Sequence, residues 1–273
     1  MRVAILGTGS MGSAILAGML ASDFDATKIS VSTKSASSAN KLSHDHGVRA
    51  IALEISAEAN REAVEDADVI LIATKPAYVV EVLKDVSSNV KAGALVISVA
   101  AGITTAAMEA ALPESVAVIR SMPNTPAIVG RAVTGIAAGE RATDWAIETT
   151  VQLFETVGKT LVLEESRIDA LSTISGSGPA YVFYLIEQLT AAAKHHGFND
   201  QDAALLVNET FLGAAELLLA SGKSPEALRK QVTSPNGTTE RAIARMAETD
   251  LESMFIEATD AALARARELA AGK

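Results

Sequence analysis

Near its start the chain runs from a short apolar stretch, Val3–Leu6, straight into Gly7-Thr8-Gly9-Ser10-Met11-Gly12. No other feature constrains the fold as much. An unbroken apolar run of this length suits a strand buried on both faces of a parallel sheet. The glycines then have separate jobs. Gly7 permits a tight turn, Gly9 lets the backbone approach a diphosphate, and Gly12 lets the next helix pack against the strand. The start of that helix presents unpaired N–H groups to an anion. Gly7, Thr8, Gly9, Ser10, Met11 and Gly12 are therefore expected to bind a dinucleotide. The strand–turn–helix setting separates this motif from an ordinary glycine turn.

The rest of the first half repeats the theme. Strands are expected at Lys28–Ser32, Val69–Ala73, Ala94–Val99, Val116–Arg120 and Val133–Ala137, with helices such as Tyr78–Val86 and Thr143–Val157 between them. Alternating strands and helices give an α/β Rossmann domain with a doubly wound, mostly parallel sheet. After about Leu163 the strand-like runs stop. Helices are expected over Ala180–His195, after a cap at Asn199, after the Ser224-Pro225 pair, and over Met254–Leu269. The expected organisation is a dinucleotide-binding domain over 1–163 and an all-α domain over 164–273. Glu164-Glu165 reads as a solvated turn between them.

Composition narrows the function. A net charge of −10 lacks the basic surface that nucleic acid requires. There are no cysteines, so disulfides, thiolate metal sites and thiol nucleophiles are excluded. This suits a reducing, cytoplasmic setting. Val3–Ser22 is uncharged, but its glycines and serines suit a strand, turn and helix better than a signal sequence. No stretch is read as crossing a membrane, so neither a membrane nor a nucleic acid is an expected partner. The four histidines have no metal-ligand spacing, and no metal is expected.

The place where an acidic residue would take a ribose 2′-hydroxyl reads Ser32-Thr33-Lys34-Ser35, with no acid between Asp25 and Asp45. Thr33, Lys34 and Ser35 suit a 2′-phosphate, hence NADPH, with NADH as a second cofactor. Ligands of such sheets lie at the carboxyl ends of the strands. That adds the turns at Ala73, Lys75 and Pro76 and at Ala100 and Ala101. Lys75 is balanced between ligand contact and structural role, and Arg120 between ligand contact and tying down a strand end.

Two Gly- and hydroxyl-rich helix starts stand out later, Ser175-Gly176-Ser177-Gly178-Pro179 and Ser234-Pro235-Asn236-Gly237-Thr238-Thr239. Such starts offer N–H and hydroxyl donors without net charge, suited to a carboxylate or a ring nitrogen. Taken singly, each also reads as ordinary capping.

Together with Asn60, the Thr74-Lys75-Pro76 turn and Arg120-Ser121-Met122-Pro123-Asn124-Thr125-Pro126, these motifs resemble the pyrroline-5-carboxylate reductase family over nearly the whole chain. The resemblance implies hydride transfer from NADPH to the C=N bond of 1-pyrroline-5-carboxylate, giving L-proline in the last step of proline biosynthesis. It implies that Ser234 and the N–H groups of Thr238 and Thr239 hold the substrate carboxylate. The Thr239 hydroxyl would meet the ring nitrogen, with Ser177, Asn236 and Gly237 also at the substrate. Ala100 and Ala101 would border the nicotinamide, Asn60 would contact the adenosine side, and Asn124 would join the cofactor set. It also implies a homodimer through the helical domain, with higher rings such as a decamer in some members.

Two rivals fit less well. A β-hydroxyacid dehydrogenase shares the Gly-Ser-Gly helix start but needs a base for the hydroxyl proton. The matching stretch here reads Pro179-Ala180-Tyr181-Val182, with no lysine before Lys194. A non-catalytic NADPH sensor would not need the Ser234–Thr239 loop.

Overall fold

The computed structural model describes residues 1–270, so the last three residues of the expected second domain lie outside the described residues. The chain runs β1 (Val3–Leu6), α1 (Ser10–Ala21), β2 (Ile29–Thr33), α2 (Ala36–His46), β3 (Arg49–Ala52), α3 (Ala59–Val64), β4 (Val69–Ile72) and α4 (Val79–Val86). It continues with β5 (Leu95–Ser98), α5 (Thr105–Glu109), β6 (Ala117–Met122), β7 (Ala132–Ala138), α6 (Asp144–Glu155) and β8 (Gly158–Val162). A short α7 (Ile168–Leu171) leads through a π-helical turn, Ser172–Gly176, into α8 (Gly178–His195), α9 (Asp200–Ser221), α10 (Pro225–Gln231), α11 (Thr238–Ala247) and α12 (Leu251–Ala270).

The eight strands form one sheet in the order β3-β2-β1-β4-β5-β6-β7-β8. All neighbours are parallel except β6 and β7. This is the expected mostly parallel α/β domain. The strand order reverses between β1 and β4, so a crevice opens at their carboxyl ends. Alternate residues of each strand feed two cores. Val3, Ile5, Val69, Leu71 and Ile97 pack with α1 and α6. Ala4, Leu6, Ile70, Ile72 and Val96 pack with α3, α4 and α5. Covering both faces explains why β1, β4 and β5 read as unbroken apolar runs.

β3 and β8 were not expected. Both are edge strands, and neither carries an unbroken apolar run, since Arg49, Lys159 and Thr160 interrupt them. The turn expected at Glu164-Glu165 is solvated at Glu164 but tied down at Glu165, and the segment after it packs on β7. Gly135 of β7 leaves room for Leu171, whose Cδ1 would lie 2.8 Å from a Cβ placed there. Glu165 accepts from the Thr105 N–H at 2.8 Å and from its hydroxyl at 2.7 Å. Contacts accordingly divide the chain into Met1–Ser177, joined by the chain from Leu263 onward, and Gly178–Ala262.

The second unit is helical. Asn199 caps α9 by accepting from the Asp202 N–H, and Ser224 caps α10, where Pro225 takes the first helical position. Its large apolar side chains are widely exposed, among them Phe183 at 65%, Leu205 at 61% and Leu219 at 72%. Against the sequence expectation, α9 is long and apolar enough to cross a membrane by length and composition, with a mean hydropathy of 1.5.

Candidate functional site

The fingerprint sits at the switch point. Gly7 closes β1 with φ +92°, a left-handed conformation that favours glycine. A Cβ at Gly7 would lie 3.0 Å from the Ala73 carbonyl at the end of β4. A Cβ at Gly12 would lie 2.2 Å from the Gly7 carbonyl oxygen. Gly9 differs from both, because a Cβ there would meet nothing within 4 Å. Its missing side chain leaves open space directly before α1. The Ser13 hydroxyl donates to the Thr8 carbonyl at 3.0 Å and fixes the loop. Gly9 is the N-cap residue of α1 and offers no side chain to the first N–H groups. Ser10 is exposed and Met11 half-buried.

These features fit a bound dinucleotide. The free helix start and the open face of Gly9 match a pyrophosphate. Thr74 adds a second sign: its Oγ1 is buried without a partner among the described residues, and its N–H lies 3.1 Å from where a Gly7 Cβ would stand. A buried hydroxyl without a partner is costly, so one beside a ligand crevice points to a ligand partner. In the sequence Thr74 stands only within the Thr74-Lys75-Pro76 turn, with no role of its own. The signal was there, in a hydroxyl between the end of β4 and Lys75-Pro76.

The other expected cofactor residues lie at the carboxyl ends of the same strands. Thr33 is buried and donates its hydroxyl to the Ser35 carbonyl at 2.9 Å. Lys34 is exposed. Ser35 caps α2, accepting from the Ser38 N–H at 3.2 Å. Asn60 is buried in α3, and the next residue, Arg61, ties that helix to α4 through Asp85 at 2.6 Å. Lys75 and Pro76 are exposed after β4. Ala100 is buried and Ala101 exposed after β5.

A cavity of about 540 Å³ opens beside them, with Ala101, Arg120, Met122, Asp169 and Ser172 in its wall. A smaller polar cleft of about 200 Å³ near Arg2, Lys28 and Arg49 lies at the amino ends of the strands, away from the fingerprint.

Arg120 combines a structural tie with a place in the cavity wall, where its Nε is buried without a partner among the described residues. It is 4% exposed and pairs with Asp169 at 2.5 Å and Glu165 at 3.4 Å. Asn124, expected in the cofactor set, is hydrogen-bonded at both ends of its amide. Its Nδ2 donates to the Ser175 carbonyl at 2.8 Å, and its Oδ1 accepts from the Val133 N–H at 2.9 Å. Both ends of the amide thus brace the π-helical turn against β7. Ser177 follows that turn, with its N–H on the Ser172 carbonyl at 2.9 Å.

In the second unit, Ser234 to Thr239 form a tight turn into α11. The Gly237 N–H donates to the Ser234 carbonyl at 3.0 Å. Asn236 takes φ +59° and donates its N–H to Glu240 at 2.8 Å. Gly237 is the N-cap with no side-chain cap, so Thr238 and Thr239 open the helix with their N–H groups available. Ser234, Asn236, Thr238 and Thr239 are all exposed.

Residues 165–269 match a family model described as pyrroline-5-carboxylate reductase dimerisation, and residues 2–102 one described as NADP oxidoreductase, coenzyme F420-dependent. The pyrroline-5-carboxylate reductase of Pseudomonas aeruginosa is 37% identical, over 98% of this chain and 97% of its own. That of Corynebacterium melassecola is 34% identical, over 98% of each. Among solved structures, a pyrroline-5-carboxylate reductase from Coxiella burnetii aligns with TM-score 0.90 and 35% identity over 98% of each chain. A Plasmodium falciparum pyrroline carboxylate reductase with NADP bound aligns at 0.83 and 22% identity, covering 99% of this chain and 98% of its own.

Proposed function

The chain belongs to the pyrroline-5-carboxylate reductase family, and on that premise we propose that it reduces the C=N bond of 1-pyrroline-5-carboxylate with NADPH to give L-proline. The observation that carries the reading is the uncapped start of α11 behind the Ser234–Gly237 turn. Oriented N–H donors and hydroxyls there suit a substrate carrying one carboxylate and one ring nitrogen.

The fingerprint and Thr74 would hold the cofactor, which when bound supplies a hydride to the C=N carbon. Ser234 and the N–H groups of Thr238 and Thr239 bind the carboxylate, with Asn236 and Gly237 shaping the turn. The Thr239 hydroxyl meets the nitrogen of the protonated imine, which already carries the proton it keeps as the secondary amine of L-proline, so hydride alone completes the reduction. Ser177 adds a hydroxyl at the substrate. Ala100 and Ala101 are small enough to border a nicotinamide, and Asn60 serves the adenosine end. Asn124 supports the site as a brace. Imine reduction needs orientation more than a strong acid or a covalent nucleophile, which accords with the residue types present.

The helical half, from 164 onward, is the proposed dimerisation and substrate region. Its support is the exposed apolar surface of α8 and α9. Covering each large side chain contributes at most about 1.5–3 kcal/mol, and association costs about 4–15 kcal/mol, so a stable homodimer must cover many of them together. A partner helix also suits α9 better than a bilayer, because Glu209 and Glu216 would each cost about 2.5–3.5 kcal/mol at a membrane centre. Rings such as a decamer extend the same reading. A cytoplasmic location does too, with the cysteine-free composition as its support.

The test is cofactor oxidation with pyrroline-5-carboxylate, NADPH and NADH run in parallel, alongside sedimentation in detergent-free buffer. Rapid oxidation by a dimer or larger assembly is expected. Intact NADPH binding without turnover would refute the reductase reading and favour a sensor.

A further inference from the structure

The corner between β2 and α2 contains a carboxylate that the sequence around β2 lacks. Glu54 comes from the end of β3, and its Oε2 accepts from the Ala36 N–H in the first turn of α2 at 2.8 Å. The residue is held in register beyond the β2–β3 ladder. The Leu53 N–H donates to the Thr33 carbonyl at 2.9 Å, and the Glu54 N–H to the Lys34 carbonyl at 3.1 Å. Glu54 therefore reaches the place that Thr33, Lys34 and Ser35 would offer to a ribose 2′ substituent, and it lies on the N–H that an incoming anion would use.

We propose that Glu54 reads the ribose 2′ position of the dinucleotide and sets a cofactor selectivity weaker than Thr33, Lys34 and Ser35 alone would give. This rests on the reading of that corner as the ribose site. A 2′-phosphate brings an anion of about −1.5 to −2 charges. It must displace the Glu54 carboxylate from Ala36 or stand beside it, and like charges side by side are costly. A 2′-hydroxyl has no such conflict, because it can donate to the carboxylate as it does to the acid in NAD-binding sheets. Glu54 is exposed, so its side chain has room to swing towards solvent. The phosphorylated cofactor then still binds, at a reduced advantage over NADH.

The experiment uses the full-length protein and reads dissociation constants for NADPH, NADH, 2′,5′-ADP and 5′-AMP by fluorescence or calorimetric titration. Wild type, Glu54→Gln and Lys34→Ala are compared, with thermal melts on each. Glu54→Gln is expected to tighten NADPH and 2′,5′-ADP by about tenfold, the size of one like-charge contact near a surface, and to loosen NADH. A helix cap with no role in recognition would instead shift NADPH and NADH together and lower the melting point. That pattern, or unchanged affinities, overturns the proposal. Lys34→Ala separates the two levels. If it lowers the NADPH preference while Glu54→Gln leaves that preference unmoved, only the role of Glu54 falls. If neither substitution moves the preference, the corner does not hold the 2′ group and the underlying reading fails with it.

Discussion

Gly9 and Gly12 belong to one motif, yet the structure gives them opposite failures on substitution. At Gly9 a Cβ would meet nothing within 4 Å, so Gly9→Ala leaves the packing intact. The stability cost is that of replacing glycine by alanine at an N-cap, about 1 kcal/mol at most. The new methyl instead stands in the space where the backbone would approach a pyrophosphate. Losing a contact worth about 1.4–2.8 kcal/mol weakens NADPH binding about ten- to hundredfold. At Gly12 the Cβ would fall 2.2 Å from the Gly7 carbonyl oxygen, a backbone atom fixed at the β1–β4 switch point. Gly12→Val must separate α1 from β1, and overpacking of that kind costs about 3 kcal/mol. For a chain of this size that lowers Tm by roughly 6–12 °C, against about 2–4 °C for Gly9→Ala. Thermal melts and NADPH titrations on both variants check the pair. A Gly9→Ala protein that binds NADPH like wild type would refute the cradle, and an unshifted Tm for Gly12→Val would refute the packing argument.

Thr239→Ala should lower kcat about ten- to hundredfold while the NADPH dissociation constant stays within about twofold, and Thr239→Ser should restore most of the rate; an unchanged kcat removes Thr239 from the chemistry. Asp169→Asn leaves the buried Arg120 guanidinium with its 3.4 Å partner Glu165 alone. Denaturant unfolding should show a loss of about 3 kcal/mol, and a loss below about 1 kcal/mol would mean that the pair is dispensable. Asp68 is held below the usual carboxylate pKa by its hydrogen bond from Lys91, then by the Arg2 N–H. Its folded pKa is thus depressed, so its contribution is present above the unfolded value of about 3.9 and lost as pH falls through the folded one. The stability gap between wild type and Asp68→Asn should therefore be open at neutral pH and close in acid, and a gap independent of pH would contradict the assignment.

Local signals made part of this protein legible. β1, β4 and β5 could be read because burial on both faces demands unbroken apolar residues. The starts of α9 and α10 could be read because Asn199 and Ser224 cap their own helices three residues ahead. Edge strands give no such signal: β3 and β8 are each paired on one side only, and their polar residues resemble those of loops. Glu165 is hidden for a related reason: a carboxylate in a turn looks solvated, and the Thr105 and Arg120 that reach it are each more than forty positions away.

The candidate site divides along the same line. The fingerprint is a local device, in which glycines at fixed offsets serve one turn and one helix start, so its residues are named correctly without a fold. Thr74, Asn124 and Glu54 depend on which strands stand side by side. Thr74 matters because β4 neighbours β1, which sets its backbone N–H next to Gly7 while its hydroxyl is buried without a partner among the described residues. Asn124 became a brace because β7 returns antiparallel to β6 and presents the Val133 N–H to it. Glu54 reaches α2 only because β3 lies parallel to β2, with Thr33 opposite Ala52. The absence of acid between Asp25 and Asp45 is true of the sequence and untrue of the site. A cofactor preference inferred from the tip of β2 is therefore an inference about half of the corner, and the titrations on Glu54→Gln weigh the half that β3 supplies.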